Sequence, residues 1–264
     1  MLMQRKTPTQ EVTLQDVAFP WAPILMYHRV VPEIDRPDPH GLCISVAAFE
    51  SQVRYLYERG YRTVTLDEWV LTVCEGRPQS EPMAVITFDD GYRDVYDHAL
   101  PVLRRYGASA TLFLVSGCVG GTSTWDEAAL PLLGLPELRE MHAYGISFGS
   151  HSRSHAHLAG LPEEEAREEI ILSKVELERA LETEIRSFCF PYGQATPVVR
   201  QMVQEAGYSA ACGIDQPLHA LFNLTRIDAA HHPGTGLPWR LRASGAHHRL
   251  RNNKAVRLVR DFRR

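Results

Sequence analysis

The chain lacks any apolar run near the roughly 20 residues that a membrane-spanning helix needs, so none of its 264 residues is expected in a bilayer core. Its opening segment, MLMQRKTPTQEVTLQDVAFPW, has basic side chains but no apolar stretch of about 7–15 residues that would drive export. A cytoplasmic chain is the expectation. Cysteine is sparse: Cys43, Cys74, Cys118, Cys189 and Cys212 are odd in number and scattered, with no C-x-x-C pair. That excludes a disulfide framework and a thiolate zinc site, and leaves buried structural thiols as the reading. Internal repeats and low-complexity stretches are also missing. What remains is ordinary for one large globular domain, with 44% hydrophobic and 23% charged residues.

Charge is unevenly spread. From Arg240 to Arg264 there are nine Lys/Arg and one acid, Asp261, a net of +8 that leaves the rest of the chain at −12. Such asymmetry marks the end as a separate unit. The division expected is an N-terminal extension over 1–20, a main domain over 21–235 and a basic tail over 236–264. In the tail Val256, Leu258, Val259 and Phe262 interleave with Lys254, Arg257, Arg260, Arg263 and Arg264. This fits a basic amphipathic helix on an anionic membrane surface, and equally a solvated terminus. The acidic body gives no sign of nucleic-acid binding.

Short apolar runs alternate with helical patterns, the signature of βα units around a parallel sheet. Strands are predicted at Ile24–Met26, Arg62–Val64, Ala84–Phe88, Ala110–Val115, Ile146–Gly149, Ser187–Phe190, Tyr208–Cys212 and Leu224–Ile227. Helices are predicted after Ser45, which can cap one ending at Gly60; over Tyr92–Tyr106, kinked at Pro101; over Pro136–Tyr144; from Pro162 through an acidic first turn; and over about Thr196–Ala206. Some eight strands in this order imply a (β/α) barrel, with a doubly wound open sheet as the alternative. In a barrel the chemistry sits on loops at the C-terminal strand ends, and the polar clusters obey that rule. Tyr27-His28-Arg29, Asp89-Asp90-Gly91, His151-Ser-Arg-Ser-His155 and Pro191-Tyr192-Gly193 each follow a strand.

Two adjacent carboxylates, Asp89 and Asp90, repel each other unless a cation or divided roles intervene. Taken alone they also fit a strand entering a turn. His151 and His155, spaced i, i+4, can converge on one metal from a helical turn or a tight loop. The segment is HSRSH, so the HExxH zinc-protease reading is excluded. Two histidines and a carboxylate form an open metal site with room for water; Asp90 can supply the carboxylate and free Asp89 to act as a base.

With ITFDDGY, SHSRSH and SFCFPYG in this order, the chain resembles the polysaccharide deacetylase family, also called the NodB-homology or carbohydrate esterase family 4 group. The resemblance covers roughly Ile24 to Asp228. ILMYHRV and FESQVRYLYERGYRTVTLDE look like the branch of poly-N-acetylglucosamine deacetylases. It implies a distorted (β/α) barrel of seven to eight parallel strands. It further implies a divalent metal held by Asp90, His151 and His155, usually Zn2+, with Co2+, Ni2+ or Mn2+ able to serve. Asp89 would be the base for the water that attacks the acetamide, and the Tyr192 N–H would stabilise the oxyanion.

Departures from the family pattern leave three questions. Cys189 stands where an arginine commonly orients the base; Arg186 is near, and Arg29, Arg93 or Arg226 could substitute. The acid of the usual fifth motif would be His231 or His232, but the branch resemblance assigns that role to His28. Ala156 replaces a common proline. For the sugar, Trp125 is the leading aromatic platform, with Tyr192 and Tyr27 behind it. Trp125, Tyr192 and Arg226 make up the expected oxyanion and substrate-binding set, while Trp21 and Trp239 receive no role. The expected activity is hydrolysis of an N-acetyl group on an amino-sugar glycan or glycoconjugate. Two alternatives stay open: a deacylase of a small non-sugar amide, and a non-catalytic carbohydrate-binding protein.

Overall fold

The computed structural model describes residues 22–35, 38–77, 80–126, 128–194, 196–214 and 221–230. The 1–20 extension, the basic tail with its expected membrane contact, and Trp21, His231, His232 and Trp239 lie outside these residues. No helix among the described residues is long and apolar enough to cross a membrane.

The strands are β1 (Ile24–Tyr27), β2 (Arg29–Val31), β3 (Cys43–Ser45), β4 (Arg62–Val64), β5 (Met83–Phe88), β6 (Thr111–Leu114), β7 (Ser147–Ser150), β8 (Ser187–Cys189), β9 (Ala210–Gly213), β10 (Leu224–Thr225) and β11 (Ile227–Asp228). The α-helices are α1 (Val46–Glu58), α2 (Leu66–Cys74), α3 (Leu100–Tyr106), α4 (Leu135–Tyr144), α5 (Glu163–Leu181) and α6 (Pro197–Glu205). The main sheet is parallel throughout and runs β10-β9-β8-β7-β6-β5-β1-β11, with β4 against β5. Val85 pairs with both Ile24 and Val64, and Phe88 with both Tyr27 and Leu112. So β4 and β6 share the edge of β5 opposite β1, β4 at its start and β6 at its end. The two ends of the sheet, β10 and β11, are separated in sequence by Arg226 alone. The ring therefore closes through one interrupted strand, and counting it once gives the eight parallel strands of a nearly closed barrel.

Side chains alternate across this wall with the period of two that a strand imposes. In β5, Met83 and Val85 join an inner cluster with Ile24, Val64, Phe113, Cys189, Ala210, Cys212 and Leu224. Ala84, Ile86 and Phe88 face the outer cluster beneath the helices. With both faces covered, β5 is buried along its whole length, which is why it reads as a continuous apolar run. Each fully buried Leu, Ile or Phe contributes about 1.5–3 kcal/mol.

The sequence reading omitted α2, and this helix seals one end of the barrel. Leu66, Trp69, Val70 and Val73 belong to the inner cluster. The Leu66 N–H donates to Thr111 Oγ1 at the start of β6 (2.9 Å), and that oxygen is 2.8 Å from Ser147 Oγ at the start of β7. The plug thus sits at the N-terminal strand ends. Its start was encoded as a capping box, Thr65-Leu-Asp-Glu68: Thr65 Oγ1 accepts the Glu68 N–H (3.2 Å). Also absent from the reading was the parallel pair β2–β3. Asp94 fixes it by accepting from Arg29 Nε (2.7 Å) and the Val30 N–H (3.3 Å).

Two further expectations need correction. Cys189 and Cys212 are buried, but Cys43 and Cys118 are half-buried and Cys74 is exposed; all five are free. Tyr27 cannot be a sugar platform. It is fully buried in the outer cluster, edge-on to Phe49, and its hydroxyl donates to Gln52 Oε1 (2.5 Å).

Candidate active site

Asp89 and Asp90 leave the C-terminal end of β5 through a turn in which Asp90 (φ 72°) and Gly91 (φ 78°) are both left-handed. Gly91 suits this turn because its φ lies in a region that residues with a β-carbon rarely adopt. His151 and His155 follow β7 in a loop, not a helical turn, bent by left-handed Ser152 and His155. α5 holds that loop in shape. Glu169 Oε2 accepts the N–H groups of Arg153 (3.0 Å) and Ser154 (2.9 Å), and Oε1 accepts Ser154 Oγ (2.8 Å). Four of the six non-glycine residues with positive φ among the described residues are Asp90, Ser152, His155 and Tyr192. At about 1–2 kcal/mol each, such conformations persist only where surrounding contacts dictate them.

The loops bring His151 Nε2 and His155 Nε2 to 3.3 and 3.2 Å from Asp90 Oδ1, with all three groups buried. Neither ring nitrogen is aligned to donate, and Asp90 Oδ1 has no hydrogen-bond partner among the described residues. A buried, unsatisfied carboxylate oxygen costs more than the roughly 1–3 kcal/mol of a neutral group. A cation at that point removes the penalty. His151 is oriented for it: Nδ1 lies 2.8 Å from the Cys189 carbonyl. A carbonyl only accepts, so Nδ1 carries the proton and the Nε2 lone pair is available to a metal. Burial favours the neutral form of both rings. It prevails in His155, whose pKa falls, while Asp90 and Asp89 outweigh it in His151. Two imidazoles and one carboxylate are a donor set for zinc or a similar divalent ion, with coordination left over for water. Asp89, His151 and Cys189 also converge, but there the Arg226 guanidinium already supplies the positive charge.

Arg226 grips Asp89 with both terminal nitrogens, Nη1 to Oδ1 at 2.6 Å and Nη2 to Oδ2 at 2.7 Å, deep inside the wall. Nη2 also donates to Cys189 Sγ (3.1 Å) and Nη1 to Thr87 Oγ1 (3.2 Å). Burial alone would raise the Asp89 pKa, but the guanidinium outweighs it and holds the carboxyl below its usual range. Of the four arginines weighed as substitutes for the one missing at Cys189, only Arg226 hydrogen-bonds Asp89. Arg29 pairs with Asp94, Arg93 with Asp97 and Glu137, and Arg186 with Glu184. His28, just past β1, places Nε2 3.7 Å from Asp89 Oδ2 and is more exposed than the aspartate.

Trp125 lies half-buried on the loop before α4, one face stacked on His155 (centroids 4.4 Å, 27°), and its Nε1 donates to Tyr92 Oη (3.1 Å). Tyr92 in turn donates to Asp126 Oδ2 (2.5 Å). Tyr192 is left-handed (φ 58°, ψ 13°) and 46% exposed. Its hydroxyl is 3.2 Å from His155 Nδ1, and its ring lies flat on His157 (centroids 3.6 Å, 4°). An aromatic stack adds about 0.5–1.5 kcal/mol beyond the area it buries, comparable with the cost of the backbone conformation it accompanies. His157 was not singled out by sequence; its signal was proximity to the second histidine of HSRSH.

The polysaccharide deacetylase family profile matches residues 76–211, just over half of the chain. The YxkH protein of Bacillus subtilis (strain 168) is 30% identical over 206 residues, which are 75% of this chain and 69% of that one. This chain belongs to the polysaccharide deacetylase family. The family's enzymes hydrolyse carbon–nitrogen bonds other than peptide bonds. A poly-beta-1,6-N-acetyl-D-glucosamine N-deacetylase of Staphylococcus aureus (strain MSSA476) is 25% identical over 63% of this chain, which spans 60% of that protein. Among solved structures, IcaB from Ammonifex degensii is 25% identical with a TM-score of 0.69, covering 84% of this chain and 95% of that one. The Streptococcus pyogenes deacetylase PplD, solved in complex with acetate, shares the fold, with a TM-score of 0.68 at 24% identity over 78% of this chain and 91% of that one. Within this polysaccharide deacetylase the arginine beside Asp89 lies at the break between β10 and β11, where the ring closes.

Proposed function

We propose that this chain is a metal-dependent de-N-acetylase of an amino-sugar glycan, with poly-N-acetylglucosamine-like polymers as the substrate class. The observation that carries the reading is the meeting of Asp90, His151 and His155 around an unsatisfied carboxylate oxygen, beside an Asp89 kept ionised by Arg226. The likeness to the staphylococcal enzymes and to IcaB favours the glycan over a small amide.

Asp90, His151 and His155 would hold a divalent ion, Zn2+ first among those suited to two imidazoles and a carboxylate. When bound, the ion supplies Lewis acidity, acidifying a coordinated water and polarising the acetamide carbonyl. Asp89 accepts the proton of the attacking water. It is a carboxylate throughout the neutral range, and its two oxygens are fixed by Arg226. The Tyr192 backbone N–H donates to the oxygen on which negative charge develops. His28, on the far side of Asp89 from the two metal histidines in chain order, hands a proton to the departing amine. Trp125 offers the sugar its free face while its other face steadies His155. The catalytic domain then spans 21–235, with 1–20 and 236–264 as appendages.

The test is acetate release by zinc-loaded protein from chitooligosaccharides, β-1,6-linked N-acetylglucosamine oligomers and small acetamides. Release from the glycans, lost on chelation and restored by added metal, is the expected result. Release from small acetamides alone would replace the glycan reading with the amidohydrolase one.

A further inference from the structure

We propose that His157 is a positioning residue for Tyr192: its imidazole, lying flat on the phenol ring, holds Tyr192 in the left-handed conformation that aims its backbone N–H. The inference rests on the role given to Tyr192 above. It adds a residue outside the three motifs and a chemical requirement at that position, a flat ring.

Two consecutive left-handed residues, Tyr192 and Gly193, make the turn after β8. Gly193 adopts its φ of 67° without hindrance, and the packing around it is closed, since a β-carbon would meet Ile214 at 2.8 Å. Tyr192 has a β-carbon and no such freedom. Two neighbours restrain its ring. His155 fixes the distal end, through Nδ1 at 3.2 Å from the hydroxyl and an edge-on ring contact at 4.6 Å. That contact alone leaves the ring free to swing about its hydroxyl. His157 removes this freedom by fixing the plane, with the two rings 3.6 Å apart and within 4° of parallel. The His157 backbone is itself anchored: its carbonyl accepts the Gly160 N–H (2.8 Å), and the next residue, Leu158, is buried in the outer cluster.

His157 and Tyr192 are both exposed, so substitution at 157 need not disturb the core. The direction of an N–H follows φ and ψ of its own and the preceding residue, and displacements of about 1 Å at a reacting centre lower rates by up to about 10²-fold. Loss of the stack should therefore appear in turnover and not in ground-state binding.

The experiment compares zinc-loaded wild type with His157→Ala, His157→Phe, Tyr192→Gly and the Tyr192→Gly/His157→Ala double variant on a soluble N-acetylglucosamine oligomer. His157→Ala should lower kcat about tenfold with KM and metal content nearly unchanged, and His157→Phe should restore most of the loss. In the Tyr192→Gly background, which has no ring to hold, His157→Ala should be silent. An unchanged kcat in His157→Ala, an effect confined to KM, failure of phenylalanine to rescue, or an equal loss in the Tyr192→Gly background would each overturn the assignment. Thermal unfolding separates this from the deacetylase reading. If wild type released no acetate from any oligomer, that reading would fail, while Tm losses of His157→Ala and Tyr192→Ala that combine non-additively would still establish the contact. Strictly additive Tm losses would remove it.

Discussion

The two ends of the barrel are made by the same strands and hold opposite chemistry. At the N-terminal ends the interior is closed by α2, with Leu66, Trp69, Val70 and Val73 against Val64, Val85 and Phe113. Three polar groups at that plug, the Leu66 N–H and the hydroxyls of Thr111 and Ser147, are joined in one chain of hydrogen bonds. Two strand positions further along, the inward column that began with Met83 and Val85 turns polar at Thr87 and charged at Asp89. It ends among four left-handed residues and a carboxylate oxygen without a partner. The plugged end is apolar and keeps regular backbone, although Trp69 Nε1 there is buried without a partner among the described residues; the other end gathers left-handed backbone and buried charge in a few residues. The difference teaches where to look for function: left-handed backbone and buried charge gather where they are used.

The comparison can be broken most severely at the charged end. Asp89→Asn should lower acetate release by roughly 10²–10⁴-fold while metal analysis still finds the ion. Asp90→Asn, His151→Ala and His155→Ala should instead lose most of the ion. Metal retained by Asp90→Asn and lost by Asp89→Asn would exchange the two roles. His28→Ala should also spare the metal and reduce turnover by about 10²-fold. An activated ester, whose leaving group needs little protonation, should suffer less than the amide. Equal losses on the two substrates would assign His28 a structural part.

At the plugged end the signature is reversed. Leu66→Ala should destabilise the fold by about 2–5 kcal/mol, seen as a lower Tm, with kcat of the folded protein unchanged at moderate temperature. A fall in kcat without a fall in Tm would show that the two ends are coupled. The smallest effect belongs to the helix cap. Thr65→Ala removes the oxygen that accepts the Glu68 N–H and should cost about 1 kcal/mol, with no change in metal content or turnover.

The charged end was the more legible of the two in the sequence. Asp89, Asp90, His151, His155 and Tyr192 follow strand ends, which the alternation of elements exposes, and the three-motif resemblance is what gave them roles. The plug was hidden because α2 is apolar on most of its surface. It is also short, so its nine residues leave little pattern to read, although the Thr65–Glu68 box marks its start. Strand Leu224–Ile227 was expected whole. Nothing local to it reveals that it breaks at Arg226 to join two sheet edges, since that follows from ring closure. Pairing of Arg226 with Asp89 was one of several possibilities for the same reason: the partners are 137 residues apart. His157 escaped because its contact depends on how the Tyr192 turn is wound.

Closure of the ring through Arg226 also sets an order of construction. Every residue of the proposed metal triad lies before position 156, whereas the countercharge for Asp89 arrives only with the last strand. During synthesis the growing chain can thus present its ligands long before it can turn over substrate. Burying Asp89 without Arg226 would leave a lone charge in the wall, so an incomplete barrel resists closing. Among the described residues, closing the ring through Arg226 and giving Asp89 its countercharge are then the same step.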